Sequence, residues 1–101
     1  MSTNNWWLYT QLNQIAGLAL SPGYQPLIHV RFKGRAYRIY TPDPAEYIIT
    51  VDIVQKVKET GGNFVSFPTS WCRASSEAIS YGQANGVDVM PHGRLFEILG
   101  R

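Results

Sequence analysis

The sequence is poor in cysteine, with Cys72 alone among 101 residues. One cysteine cannot form an internal disulfide or a multi-cysteine metal site. The sequence also lacks any run of about 18 apolar residues, so a membrane-spanning helix is not expected. The first five residues carry no positive charge ahead of an apolar stretch, unlike a secretory signal. We therefore expect a cytoplasmic, reducing environment and no membrane partner.

Charged residues are also scarce, at 16% against 45% hydrophobic residues. This balance excludes a disordered chain and suits one folded domain covering residues 1–101. Nine Lys and Arg against seven Asp and Glu give a net charge of +2. Residues 27–40 contain four of the bases and no acid, so the rest of the chain holds five bases and seven acids. The positive charge is therefore concentrated on one segment.

That basic segment predicts a β-hairpin. Two runs of alternating apolar and basic residues flank Lys33-Gly34, and a two-residue loop with glycine second favours a primed turn. The expected cross-strand pairs on one face are Phe32 with Arg35, Val30 with Tyr37 and Ile28 with Ile39. On the other face they are Arg31 with Ala36 and His29 with Arg38, followed by Leu27 with Tyr40.

The remaining patterns alternate between helices and strands. We predict helices over 3–19, 51–60, 75–85 and 94–99, and strands over 63–67 and 87–90. The first helix should bury a stripe formed by Leu8, Leu12, Ile15 and Ala19. Residues 44–50 fit either a helix opened by Asp43 or a short strand. The expected fold is α/β: a mixed sheet of four to five strands flanked by helices, in the order helix, hairpin, helix, strand, helix, strand, helix.

The segment from residue 63 to 99 carries a recognisable series of structural motifs. A hydrophobic strand is followed by Thr69, a helix with small residues one turn apart, a second hydrophobic strand, a glycine and a leucine-bearing helix. This segment resembles the C-terminal half of the Mrr-type restriction-endonuclease-like domain, which implies a nuclease-like fold. The matching residues are Phe64, Val65, Phe67, Thr69, Ala78, Gly82, Val87, Val89, Met90, Gly93 and Leu95.

The catalytic signature of that family is missing. Cleavage there uses an Asp and an acid-x-Lys motif that hold a divalent cation, yet none of the seven acids here is followed two residues later by Lys. The family's Asp-Gly before the last helix is replaced by Pro91-His92-Gly93. We therefore expect no catalytic residues, no metal and no cofactor, and a binding function in preference to an enzymatic one.

The basic hairpin is the first candidate binding site. Positive charge beside an aromatic ring suits phosphate contacts and base stacking, so DNA or RNA is one expected partner. The protein could then serve a mobile element or a defence system. The alternative is a solvated strand face whose charges protect a sheet edge from aggregation. The predicted nucleic-acid-binding residues are His29, Arg31, Lys33, Arg35, Arg38 and Tyr40.

The surplus of large aromatic residues gives a second hypothesis. Trp6, Trp7 and Trp71 exceed what a small core easily encloses, and tryptophan is enriched at interface hot spots. They predict a protein-binding adaptor or inhibitor, or a homodimer.

Three further residues carry groups that could take part in chemistry: Cys72, His92 and His29. Cys72 stands next to Arg73 and before a helix, so it could be a nucleophile or a half-buried loop residue. His92 could help to bind an anion at the last helix or lie in a surface turn. His29 extends the basic face more plausibly than it binds a metal.

Overall fold

The described part of the chain forms a five-stranded sheet with two helices on each face. The computed structural model describes residues 3–20 and 27–100. Its helices are α1 (Thr3–Leu12), α2 (Val51–Glu59), α3 (Ser76–Asn85) and α4 (His92–Ile98). Its strands are β1 (Leu18–Leu20), β2 (Ile28–Phe32), β3 (Arg35–Tyr40), β4 (Ile48–Ile49), β5 (Phe64–Phe67), β6 (Arg73–Ala74) and β7 (Asp88–Pro91).

The main sheet is mixed, with the strand order β1-β2-β3-β5-β7. Strands β1, β2 and β3 form an antiparallel meander, whereas β3, β5 and β7 run parallel through the crossover helices α2 and α3. Strands β4 and β6 form a separate parallel pair. The predicted fold class, a small α/β domain with a mixed sheet of four to five strands flanked by helices, is confirmed. Within the described residues, no helix has the length and apolar character that crossing a membrane requires.

The hairpin forms in the predicted register. Five of the six predicted pairs, from Phe32 with Arg35 to Ile28 with Ile39, are present; the sixth, Leu27 with Tyr40, lies beyond the first residue of β2. At the turn, Lys33 has φ 50° and Gly34 has φ 78°. Positive φ at both central residues defines the type I′ turn, whose twist matches that of the two strands.

Each face of the sheet has its own core. Helices α1 and α4 cover one face, and α2 and α3 cover the other. The buried residues of the first core are Leu8, Leu12, Ile28, Val30, Phe32, Tyr37, Ile39, Phe64, Leu95, Phe96 and Leu99. Those of the second are Ile49, Val54, Val57, Val65, Phe67, Cys72, Ala78 and Val87.

The first helix is shorter than the predicted 3–19. It ends at Leu12, and a turn leads through Gly17, at φ 80°, into strand β1. The predicted stripe is therefore wrong beyond Leu12: Ala19 lies exposed on a strand and Ile15 is partly buried outside the helix. Gly17 takes the left-handed conformation in the turn that leads into β1, so the helix cannot resume there, and pairing with β2 satisfies the backbone of the residues that follow.

The later elements follow the sequence patterns closely. Residues 44–50, which fitted either a helix or a short strand, form a turn and strand β4. Strand β4 pairs with β6, which was not predicted. Helix α3 begins at Ser75, whose hydroxyl accepts a hydrogen bond from the Ala78 amide, and ends at Gly86 with φ 78°. Two-residue strands such as β6 are too short to produce a periodic signal.

Candidate functional site

A cavity of about 840 Å³ opens beyond the carboxyl ends of the parallel strands β5 and β7. This end of an open α/β sheet is where such folds bind ligands most often. The cavity, here called the aromatic groove, is lined by Trp7, Pro44, Tyr47, Pro68, Thr69, Ser70, Trp71, His92, Gly93 and Phe96.

Helix α1 supplies one wall of the aromatic groove. Leu8 and Leu12 are fully buried in the first core and fix the helix against the sheet. Trp7 then lies above α4, with its ring centroid 5.4 Å from that of His92 and 6.1 Å from that of Phe96. These tilted ring contacts hold one side of the indole, and 40% of the residue remains exposed.

The loops that lead into β4 and β6 supply another part of the lining. The Cys72 amide donates to the Pro68 carbonyl at 3.1 Å, and the Cys72 side chain is buried, so the intervening loop presents Trp71 to solvent. The Arg73 amide donates to the Tyr47 carbonyl at 3.2 Å. This backbone bond places Tyr47, 63% exposed, beside Trp71, 38% exposed.

A buried polar pair lies beneath the aromatic groove. A hydrogen bond joins Ser66 Oγ to His92 Nδ1 at 2.5 Å. Ser66 is fully buried on β5, and His92 begins α4 with 6% of its surface exposed. Burial lowers the pKa of His92 to about 4, because the cation would lose its hydration there. His92 is therefore neutral at neutral pH.

The groove offers hydrogen-bond donors without charge. Among the described residues, no charged side chain lines it. The hydroxyls of Tyr47, Thr69 and Ser70 and the indole N–H of Trp71 make no hydrogen bond to another described residue. These polar groups stay available to a ligand.

The structure brings together two of the three tryptophans predicted as interface residues. Trp7 and Trp71 face the same cavity from elements 64 positions apart in the sequence. Trp6 is 53% exposed but lies outside the groove. Sequence reasoning missed Tyr47 and Phe96 as lining residues, because no local pattern shows that the loop before β4 and helix α4 meet at one cavity.

The predicted nucleic-acid surface is divided between the two sides of the hairpin. His29 and Arg31 are exposed on the face that carries Arg38. Arg35 projects from the opposite face, with its guanidinium 5.1 Å from the Tyr37 and Phe64 ring centroids and 3.6 Å from an Asp88 oxygen. At the turn, the Nζ atom of Lys33 lies 5.3 Å from the centroid of the Phe32 ring.

Two of the predicted residues are engaged within the fold. The Arg38 Nε donates to the Gly61 carbonyl at the end of α2. The Tyr40 hydroxyl donates to Glu46 Oε1 at 2.5 Å, and its ring packs against the second core. The pKa of Tyr40 is raised, mainly because its hydroxyl is partly buried and secondly because the Glu46 carboxylate accepts its hydrogen bond. The open basic face is therefore formed by His29 and Arg31, with Arg38 at its border.

The structure gives Cys72 the environment of a core residue. It is 5% exposed, and its sulfur lies 3.4 Å from the Glu46 carbonyl oxygen. Burial raises the pKa of its thiol, which opposes the thiolate form that a nucleophile needs. Within residues 3–20 and 27–100, no group of three or more His, Cys, Asp and Glu side chains is placed to hold a metal ion.

Comparisons with known proteins add no relative. No family model matches the chain, no curated protein is significantly similar to it, and no solved structure matches it significantly.

Proposed function

We propose that this protein is a recognition module that holds a segment of a partner protein in the aromatic groove. The observation that carries the proposal is the convergence of Trp7 and Trp71, from separate elements, on one cavity. Tyr47 lines the same cavity. Large aromatic rings left in water lose the stabilisation that burial would give them, and a partner that covers them restores it.

The size and chemistry of the groove support a protein ligand. Its volume of about 840 Å³ lies within the range of ligand-binding clefts. Tryptophan and tyrosine dominate binding hot spots, because they bury much apolar area and still donate hydrogen bonds. The described lining carries no cation to neutralise phosphates, so a nucleic acid backbone is a poorer occupant.

Selection of peptides from a random display library tests this proposal. We expect the wild-type chain to enrich a related set of peptides, and Trp71→Ala to weaken their binding at least tenfold. Trp6→Ala is the matched control, because Trp6 is more exposed than Trp71 yet lies outside the groove. Failure to enrich any peptide, or enriched peptides that bind Trp71→Ala as tightly as wild type, would contradict the proposal.

A second candidate function, nucleic-acid binding, is supported by the open basic face. His29 and Arg38 are cross-strand neighbours, Arg31 follows on the same face, and no acid lies among the described residues of that face. Cations on a strand face can contact successive phosphates. The resemblance to the Mrr-type domain adds to this candidate.

Fluorescence anisotropy with labelled single- and double-stranded oligonucleotides tests the second candidate. Arg31→Ala should weaken binding severalfold and make the salt dependence shallower by about one unit of log K against log salt. Arg35→Ala is the control, because Arg35 points to the opposite face. Equal effects of the two variants would show that the open face is not the binding surface.

A further inference from the structure

We infer that the aromatic groove binds an uncharged, proline-rich segment in the polyproline II conformation. This inference rests on the proposed function and deepens it by naming the class of partner. It depends on the aromatic side chains, the hydrogen-bond donors without a described partner and the absence of charge in the described lining.

The rings provide matching surfaces for proline. Trp7 from α1 and Tyr47 and Trp71 from two loops all line the groove, so three large aromatic side chains are available to contact proline rings. Polyproline II helices dock into aromatic-lined grooves of this kind, and they lose little entropy because the free segment already has the bound conformation. Phe96, which is 9% exposed, adds to the apolar lining of the groove.

The polar groups of the groove match the backbone of such a segment. A polyproline II helix makes no internal hydrogen bonds, so its carbonyl oxygens need donors from water or from a partner. The hydroxyls of Tyr47, Thr69 and Ser70 and the indole N–H of Trp71 are donors that no described residue uses. Proline has no backbone N–H, so a proline-rich segment asks for donors and few acceptors.

The location of the groove disfavours an added β-strand. Strand addition needs the backbone edge of a sheet, yet every lining residue belongs to α1, α4 or a loop. The parallel strands β5 and β7 reach the groove with their carboxyl ends, not with an edge. The uncharged lining also disfavours phosphorylated or acidic peptides, which need cationic partners.

Nuclear magnetic resonance titration with an uncharged oligoproline peptide of about ten residues tests the inference on the unmodified chain. We expect the indole N–H signals of Trp7 and Trp71 to shift on binding, while that of Trp6 stays in place. A glycine-serine peptide of equal length is the matched probe, and it should shift none of the three. Trp71→Ala should weaken oligoproline binding at least tenfold, whereas Trp6→Ala should leave it unchanged.

The outcomes separate this inference from the proposed function. If display enriches Trp71-dependent peptides that lack proline, and oligoproline shifts no indole, the inference fails and the recognition function stands. If no peptide binds at all, both fail. A concentration-dependent dimer in light scattering that Trp71→Ala abolishes would assign the groove to a second copy and overturn the inference. Shifts of the Trp7 and Trp71 signals by an oligonucleotide alone would also overturn it.

Discussion

Protonation of His92 should destabilise the fold in a defined pH window. The imidazole packs at a tilt against Trp7 and is hydrogen-bonded to the fully buried Ser66, and burial lowers its pKa from the ordinary 6.5 to about 4. The unfolded chain, with the ordinary pKa, takes up the proton first as the pH falls. Stability from this group is therefore complete above about pH 7 and is lost as the pH falls from about 7 to about 4.

The size of the loss follows from the difference between the two pKa values. Each unit corresponds to about 1.4 kcal/mol, so the full loss is about 3 kcal/mol, of which about 2 kcal/mol is lost by pH 5. This is a large part of the 5–15 kcal/mol that stabilises a typical domain. A steep decline should therefore appear above the pH range in which carboxylates begin to titrate.

Urea denaturation of the wild type and His92→Asn at pH 7 and pH 5 measures the effect. Asparagine can keep a hydrogen bond to Ser66 but takes up no proton, so the gap in unfolding free energy between wild type and variant should shrink by about 2 kcal/mol at pH 5. His29→Asn, at an exposed position, should decline in parallel with wild type. Parallel curves for wild type and His92→Asn would refute the reasoning, as would a His92 imidazole signal that titrates near pH 6.5.

Three further outcomes follow from other contacts. Gly82→Ala should cost about 1–3 kcal/mol in urea denaturation, because a Cβ there would collide with the Val87 carbonyl, whereas Gly93→Ala meets open space and should be neutral or slightly stabilising. Tyr40→Phe should cost about 1.5–3 kcal/mol by removing a hydrogen bond to a carboxylate; an unchanged urea midpoint would contradict this. The Cys72 thiol should react slowly with an aromatic disulfide at pH 8 and rapidly once urea is added; equal rates would show that it is not protected.

The alternation of side chains along the strands, together with the residues at turns and helix ends, explains which parts of the fold could be predicted. The register of the hairpin was predictable because alternating side chains leave one acceptable pairing, and because a type I′ turn suits Lys33-Gly34. The boundaries of α3 were predictable because Ser75 and Gly86 satisfy the unpaired backbone groups at the two helix ends. Both are local signals that a sequence contains by itself.

The site was harder to predict because its residues meet only through tertiary contacts. Trp7 and Trp71 could be identified as surplus aromatics, but nothing local shows that α1 crosses α4 or that β6 exists. The helical spacing of apolar residues includes both Leu12 and Ala19. Only pairing with β2 shows that Ala19 belongs to a strand. Tertiary pairing overrides helical periodicity at that point.

The two candidate surfaces differ in how much of their chemistry the fold already uses. In the hairpin, Arg35 is held over Tyr37 and Phe64, and Arg38 donates to the end of α2. Arg35 lies on the face opposite to the open basic face, which keeps His29 and Arg31 as its exposed side chains, so a ligand there has few groups to contact. In the aromatic groove, Trp71 and Tyr47 stay exposed although the β4–β6 pair fixes their backbones. Because these backbones are already ordered, binding restricts only the two side chains, and the groove is for this reason the stronger candidate for the site of recognition.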